Sequence, residues 1–439
     1  MKKINIGLIG FGTVGTGVVK VLRDNSGVIK ERLGAELILK RIADTDVSRD
    51  RGVKLDDGVL VKDALTVIND PEISVVIELV GGTGVAKGFI LASLDAGKHV
   101  VTANKALLST HGREIFNAAA EKKADVYFEA SVGGGIPVIK ALREGLAANK
   151  IESIYGIING TANYILTKMT NDGGKFDDVL RRAQEKGYAE ADPSFDVDGI
   201  DTAHKLAILI NLAFGANVKL ADIYTEGIRN INQLDIKYAK EFGYRIKLLA
   251  IAKSGDSGVE ARVHPTMIPA GHPLALVDGV YNAVHLRGNA VGPVMLWGLG
   301  AGMMPTASAV VADVIDICRN ILNKTSQRVP LPSFTDEDGR AIKIKDTDSL
   351  ELPYYMRFSA IDKPGVLSKI SGVLGGHNIS ILSVIQKDRK VGGAVPLVIV
   401  THNALERELR AAVKEIETLD IILEKVVYVR IEENLGAAN

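Results

Sequence analysis

The sequence predicts an α/β protein in three parts: a doubly wound parallel sheet, an α+β domain, and a C-terminal ferredoxin-like module. Three observations carry this reading. A glycine-rich turn, Gly10-Phe11-Gly12-Thr13-Val14-Gly15, lies between the apolar run INIGLI (4–9) and the helical run TGVVKVLRDN. Short apolar strands then alternate with helical stretches as far as residue 130, the pattern of parallel strands with crossover helices. Beyond residue 353 the order is strand, helix, strand, strand, helix, strand, the ferredoxin-like arrangement.

At 439 residues the chain has the length for two or three domains. Lys+Arg and Asp+Glu are both 53, so the whole chain carries no charge footprint for nucleic acid or an anionic membrane, and neither partner is expected. Cys318 is the one cysteine, which excludes an intrachain disulfide and fits a cytoplasmic setting. Its surroundings, VVADVIDICRN, read as a packed helix. The opening MKKINIGLIGFG superficially begins like a signal peptide, but Gly7, Gly10 and Gly12 break the apolar run and no small-residue cleavage site follows. No apolar run approaches the roughly 18 residues of a bilayer span. Eight histidines are scattered without metal-ligand spacing, so a transition-metal site is not expected.

The glycine turn opens a βαβ unit, where its glycines permit a tight turn and let amides at a helix N-terminus approach a pyrophosphate. Gly10, Phe11, Gly12, Thr13, Val14 and Gly15 are therefore expected to bind a dinucleotide on a Rossmann-type domain. The next strand, LILKRIAD (37–44), ends in Asp44, an acid suited to the ribose hydroxyls of NAD. Asp44 lies 29 positions beyond Gly15, where about 20 is usual, and the excess falls in SGVIKERLGAE. Arg41, Arg49 and Arg51 lie nearby and can accommodate a 2′-phosphate, so NAD and NADP both stay open, with NAD favoured.

Strands VVIELVGG (75–82), HVVTANK (99–105) and DVYFEA (125–130) follow, with helices between them. Ligands of such sheets bind at the carboxyl ends of the strands. This singles out Gly81-Gly82-Thr83, Thr102-Ala103-Asn104-Lys105 and the segment Glu129 to Gly135. Lys105 is placed to reach a cofactor ribose or a substrate oxygen. IPVIKALREGLAAN predicts a helix from near Pro137, and residues 151–170 run from strand through Asn159-Gly160-Thr161 into a helix whose N-terminus suits a carboxylate ligand. Strands 261–268 and 281–288 predict a mixed sheet. Gly298, Gly300 and Gly302, with Pro305 after them, predict a second close backbone approach to the cofactor. The small-residue helix that follows is expected to return to the nucleotide domain. The expected organisation is a dinucleotide domain of residues 1–134 completed by 303–325, a catalytic domain of 135–302, a linker of 326–352 and a tail domain of 353–439.

The remaining stretch is the most informative. AQEKGYAEADPSFDVDGIDTAHK (183–205) holds six carboxylates, including Glu190, Asp196 and Asp201, and leads into an apolar helix that begins at Ile200. Asp201 and Lys205 are four apart and share a helix face. A lysine at the mouth of a buried helix needs a carboxylate partner or a chemical task. The alternative is a structural ion pair on an acidic helix N-terminus.

The pattern Ala183, Gly187, Asp192-Pro193, Asp196-Val197, Gly199, Asp201, Lys205 strongly resembles the signature of homoserine dehydrogenases. The resemblance extends over residues 4 to about 325 through GFGTVG (10–15), ELVGG (78–82), VTANKAL (101–107), EASVGGGIP (129–137), NGTANYIL (159–166) and GLGAGMMPTASA (298–309). One departure is Val85, where the family pattern has proline. The tail, with Asp362-Lys363-Pro364-Gly365-Val366-Leu367 and then Gly376-His377-Asn378-Ile379, resembles an ACT domain, an amino-acid-sensing module. The resemblance implies NAD(P)-dependent interconversion of L-aspartate 4-semialdehyde and L-homoserine, on the route to threonine, methionine and isoleucine. It implies Lys205 as proton donor and Lys105 beside nicotinamide and substrate, with Thr102 and Gly302 among the cofactor contacts. Glu190, Asp196, Asp201, Gly160 and Thr161 would receive homoserine. Glu129 and the carbonyls of Val132, Gly134 and Ile136 match a monovalent-cation site, usually sodium. In the tail, Asp362, Gly365, Val366 and Asn378 would bind an amino-acid effector, with L-threonine expected, and a homodimer or homotetramer is implied. Two other classes stay in view: a different amino-acid dehydrogenase, which should lack the pattern from Ala183 to Lys205, and a non-catalytic sensor, which has no need of Lys205.

Overall fold

The computed structural model describes residues 2–331, 342–387 and 393–436. The middle of the expected linker, residues 332–341, lies outside them. The chain forms two compact units, residues 1–154 with 202–223 and 281–342, and residues 155–201 with 224–280 and 343–439. This partition differs from the expected boundaries: the expected catalytic segment 135–302 is shared between the units, and the tail falls into one unit with part of that segment.

The first unit is built on six parallel strands, β1 (Lys2–Ile9), β2 (Ala35–Ala43), β3 (Leu60–Val61), β4 (Ile73–Glu78), β5 (His99–Thr102) and β6 (Val126–Tyr127). Their order is β3-β2-β1-β4-β5-β6, the order of a Rossmann sheet, which reverses direction between β1 and β4. Near-continuous apolar runs such as Ile73–Glu78 follow from burial of both faces. The residues between Gly15 and Asp44 that exceed the usual spacing form a separate helix, Ser26–Leu33, closed by Gly34 at φ 71°. The helix Met303–Leu322 does return to this sheet. Val310, Val314, Ile317 and Cys318 on it join Ile6, Leu8, Ile77 and Val101 in one core. Burial pushes the Cys318 thiol up to about 12, which makes it inert. The helix expected near Pro137 is a single turn, Val138–Lys140, that widens into a π-helical turn at Ala141–Gly145.

The second unit centres on a twelve-residue antiparallel ribbon, Tyr244–Gly255 against Gly258–Pro269. Strand Val427–Ile431 pairs in parallel with the second arm of that ribbon, through Thr266↔Arg430 and Met267↔Ile431. Strands Tyr354–Ile361, Ala394–Thr401 and Ile381–Ile385 then add successively, each antiparallel to the one before. Helices Val366–Gly376 and Glu406–Ile416 cover the tail's sheet and share its core. The tail thus has the expected βαββαβ order but continues the ribbon's sheet, where the sequence suggested an appended module. Buried charges tie the tail to the ribbon, through Arg262 and Glu432, and to the segments beside it. Arg262 pairs with Glu432 and Glu260, Arg357 with Asp235 at 2.7 Å, and Arg430 with Glu406 and with Glu226 at 2.9 Å.

Candidate active site

The glycine turn divides its labour. Gly10 has φ 99°, and a side chain there would strike the Leu79 and Val80 backbone. A side chain at Gly15 would strike the Gly10 carbonyl, whereas one at Gly12 would meet nothing within 4 Å. Gly12 also starts helix α1 (Thr13–Asp24), which has no side-chain cap. That is the arrangement a pyrophosphate requires: packing at the outer glycines and an open, uncapped helix N-terminus between them. Gly17 extends the packing, touching Met303 and Ala307 of the returning helix.

Asp44 is at the end of β2, but its carboxylate accepts the Phe11 N–H at 2.6 Å and meets Arg51 at 3.2 Å. Arg51 donates to the Phe11 carbonyl at 2.5 Å and lies over the Phe11 ring. The sequence marked Asp44 as a ribose acceptor and Phe11 as a nucleotide contact. The structure shows the Phe11 peptide held by Asp44 and Arg51 on its two sides, with the carboxylate and the guanidinium in contact.

At the ends of β4 and β5, buried Glu78 accepts the Val80 N–H at 2.7 Å and the Thr102 hydroxyl at 2.7 Å. The Thr102 hydroxyl also receives the Asn104 N–H at 3.1 Å, and its side chain is fully buried. The Thr102 hydroxyl therefore serves the turn at the ends of β4 and β5. Asn104 caps helix Lys105–Glu121 and donates to the Gly82 carbonyl at 2.6 Å, so Lys105 begins a firmly anchored helix.

Lys205 is 8% exposed, one turn beyond Asp201 on helix Ile200–Phe214. Its neighbour His204 meets Ser109 at 2.6 Å through Nδ1. Ser109 is one turn after Lys105, so this contact ties the Lys105 helix to the Lys205 helix.

Among the carboxylates, Asp196 and Asp201 both accept from the Asn159 amide, at 2.7 and 2.9 Å. Asn159 also caps helix Gly160–Asp172, whose first residues are Gly160 and Thr161. The Thr161 hydroxyl donates to the Tyr188 carbonyl at 2.6 Å, which fixes the loop before Glu190. Glu190 is exposed, its carbonyl held by Gln184 at 3.0 Å. Arg229 grips Asp198 at 2.5 Å.

The Glu129 carboxylate accepts the Ile139 and Lys140 N–H groups, both at 2.8 Å. Burial pushes it up to about 7 against those bonds and the nearby Lys140 and Arg143. The carboxylate thus caps the turn after Pro137, and the Ile136 carbonyl accepts the Val138 N–H at 2.8 Å. The glycine approach predicted at 298–302 has its partner here. Side chains at Gly134 and Gly300 would collide with the Gly300 backbone and with Asn282 respectively. Gly302, at φ 114°, opens the helix Met303–Leu322.

In the tail, the Asp362 N–H donates to the Gly393 carbonyl at 3.0 Å. Gly365, at φ 88°, is the N-cap of helix Val366–Gly376, and exposed Asn378 has φ 56°.

Fold and crevice together define an oxidoreductase that works with a nicotinamide dinucleotide. The chain matches the family models described as homoserine dehydrogenase, NAD binding domain (residues 10–129), homoserine dehydrogenase (137–315) and ACT domain (354–420). Homoserine dehydrogenases of Neisseria gonorrhoeae and Pseudomonas aeruginosa are 46% and 45% identical to it, over 98–99% of this chain and 99–100% of theirs. The chain belongs to the homoserine dehydrogenase family. The crystal structure of a Thiobacillus denitrificans homoserine dehydrogenase superposes with a TM-score of 0.92 at 46% identity, covering 99% of each chain.

Sequence reasoning missed Arg51 as the partner of Asp44, Glu78 as the crevice anchor, and Ser109 with His204. Glu78 carried a signal, an acid ending an apolar strand; the pairing of Ser109 with His204, 95 positions apart, carried none.

Proposed function

We propose that the chain interconverts L-aspartate 4-semialdehyde and L-homoserine with Lys205 as the proton donor, in the biosynthesis of threonine, methionine and isoleucine. The observation that carries this is a lysine only 8% exposed at the start of a helix that is tethered, through His204 and Ser109, to the helix begun by Lys105. Gly12 and the N-terminus of α1 would hold the dinucleotide, which would supply or accept hydride when bound. Lys205 stabilises the developing alkoxide and gives it a proton; in the oxidative direction it takes the hydroxyl proton. Lys105 adds positive charge beside the carbonyl oxygen. Asp201, Asp196 and Glu190 receive the ammonium and hydroxyl groups of homoserine, and the amides of Gly160 and Thr161, in the first turn of the helix that Asn159 caps, suit its carboxylate. The test is nicotinamide reduction on mixing L-homoserine with NAD⁺ or NADP⁺, set beside the Lys205→Ala variant. No absorbance change with either nucleotide would overturn the reading.

Both nucleotides fit the Asp44–Arg51 pair, and a hyperthermophilic archaeal homoserine dehydrogenase, with a TM-score of 0.62 and 28% identity over 74% of this chain, is described in complex with NADPH. A sodium ion is proposed at Glu129 and the carbonyls of Val132, Gly134 and Ile136; no step depends on it. The tail is proposed to bind L-threonine between the turn Asp362 to Val366 and Asn378, lowering activity by differential affinity for two states. The working form is proposed to be a homodimer or homotetramer in the cytoplasm. Among the described residues, no helix is long and apolar enough to cross a membrane.

A further inference from the structure

We infer that Asn159 is a positioning residue for the reaction, holding Asp196 and Asp201 in one fixed arrangement through the two protons of its side-chain amide. The inference rests on the reading that these carboxylates receive homoserine. Asn159 is 5% exposed and Asp201 is 2% exposed. Its amide nitrogen lies 2.7 Å from Asp196 Oδ1 and 2.9 Å from Asp201 Oδ2, while its Oδ1 accepts the Ala162 N–H at 2.8 Å. The orientation is forced: a flipped amide would turn its oxygen toward two carboxylates and its NH₂ toward a backbone N–H. The helix cap therefore aims the donors.

The two carboxylates come from different elements. Asp196 is on the short helix Ser194–Val197 and Asp201 on the first turn of Ile200–Phe214, with Gly199 at φ 83° between them. Like charges brought together from two elements repel, and a shared donor offsets that repulsion; asparagine is the smallest neutral side chain with two N–H protons on one atom, so it bridges without cancelling either charge. A lysine there would neutralise the pair and remove its attraction for an ammonium. The backbone around the pair is held from the other side, where Ile228 N–H donates to the Val197 carbonyl at 2.9 Å and Arg229 grips Asp198. Asn159 sets the side chains within that frame.

Two substitutions separate aiming from capping. Serine caps a helix as well as asparagine does but has no amide to donate. Asn159→Asp also caps and adds a third carboxylate to the pair. The full-length enzyme is assayed with L-homoserine and nucleotide, alongside Asp201→Asn and thermal melts. Asn159→Ser is expected to melt near wild type and to lose about a hundredfold in kcat/KM for homoserine, mostly in KM, with nucleotide KM unchanged. Asn159→Asp is expected to lose more. Wild-type efficiency in Asn159→Ser, or losses that follow the melting temperature or fall equally on nucleotide KM, would overturn the inference and leave Asn159 a cap. Failure of both capping variants to fold would do the same. If Asp201→Asn is impaired while Asn159→Ser is not, only this inference falls. If Asp201→Asn keeps full efficiency, the substrate reading falls and this inference with it.

Discussion

Asp44 and Arg51 hold the Phe11 peptide from its two sides, the carboxylate on the N–H and the guanidinium on the carbonyl. An acid at this strand end selects for NAD and an arginine for NADP. With the two in contact at 3.2 Å, their charges nearly balance at the end of β2, and neither is proposed to dominate the choice.

Cofactor choice is therefore expected to be mild and tunable in both directions. Asp44→Ala should tilt the ratio of kcat/KM values toward NADP and Arg51→Ala toward NAD, each by about tenfold, the scale of one charge-assisted hydrogen bond. Both variants should raise nucleotide KM, because each removes one hand from the Phe11 peptide. Steady-state kinetics with both nucleotides checks this; a tilt in the same direction from both would exclude opposing roles.

Lys205→Ala should keep nucleotide binding and lose about 10²–10⁴-fold in turnover, the usual contribution of a positioned acid–base group. Nucleotide affinity by fluorescence titration, set beside initial rates, separates the two. Near-normal rates would remove Lys205 from the chemistry.

Asp70 should give the fold an acid-sensitive contribution. Burial alone would raise its carboxyl, but bonds from Lys40, the Glu72 N–H and Arg41 outweigh that and hold it at about 2. A depressed carboxyl stabilises the fold above its unfolded value, 3.8, and that stabilisation is lost as pH falls toward 2. Asp70→Asn is expected to cost about 1–2 kcal/mol at pH 7, allowing for solvent around Lys40. Urea midpoints at pH 7 and pH 3 should show the gap between variant and wild type closing. A constant gap would mean that shape, not charge, matters at Asp70.

L-threonine is expected to lower activity, and Gly365→Asp to abolish that effect while leaving homoserine oxidation. Aspartate tolerates a positive φ better than most residues, and it adds a negative charge where an amino-acid carboxylate would dock. Calorimetry with L-threonine checks binding directly; an active enzyme that takes up no amino acid would leave the tail a purely structural element.

The Rossmann strands, the glycine turn and the βαββαβ order were legible because each is a local pattern of apolar period and turn residues. Lys205 and Asp201 were legible because four positions on a helix fix their shared face. What escaped was long-range. Nothing near Asp44 says that Arg51 folds back onto Phe11, and nothing near Gly300 says that the Asn282 side chain crowds it. A strand-end threonine such as Thr102 reads the same whether its hydroxyl points to a ligand or to Glu78.

The pairing of Val427–Ile431 with Gly258–Pro269 also sets an order of events during synthesis. The ribbon's second arm can pair early with Tyr224–Thr225 at Arg262 and Val263, but Thr266 and Met267 must wait for more than 150 further residues before their neighbouring strand exists, with Arg262 lacking its Glu432 partner in the meantime. Parallel pairing at such separation is slow to form and leaves a strand edge open to other chains. The second unit therefore completes only after the ribosome has released nearly the whole chain, and an early stop codon in the tail should yield aggregated protein in place of an unregulated enzyme.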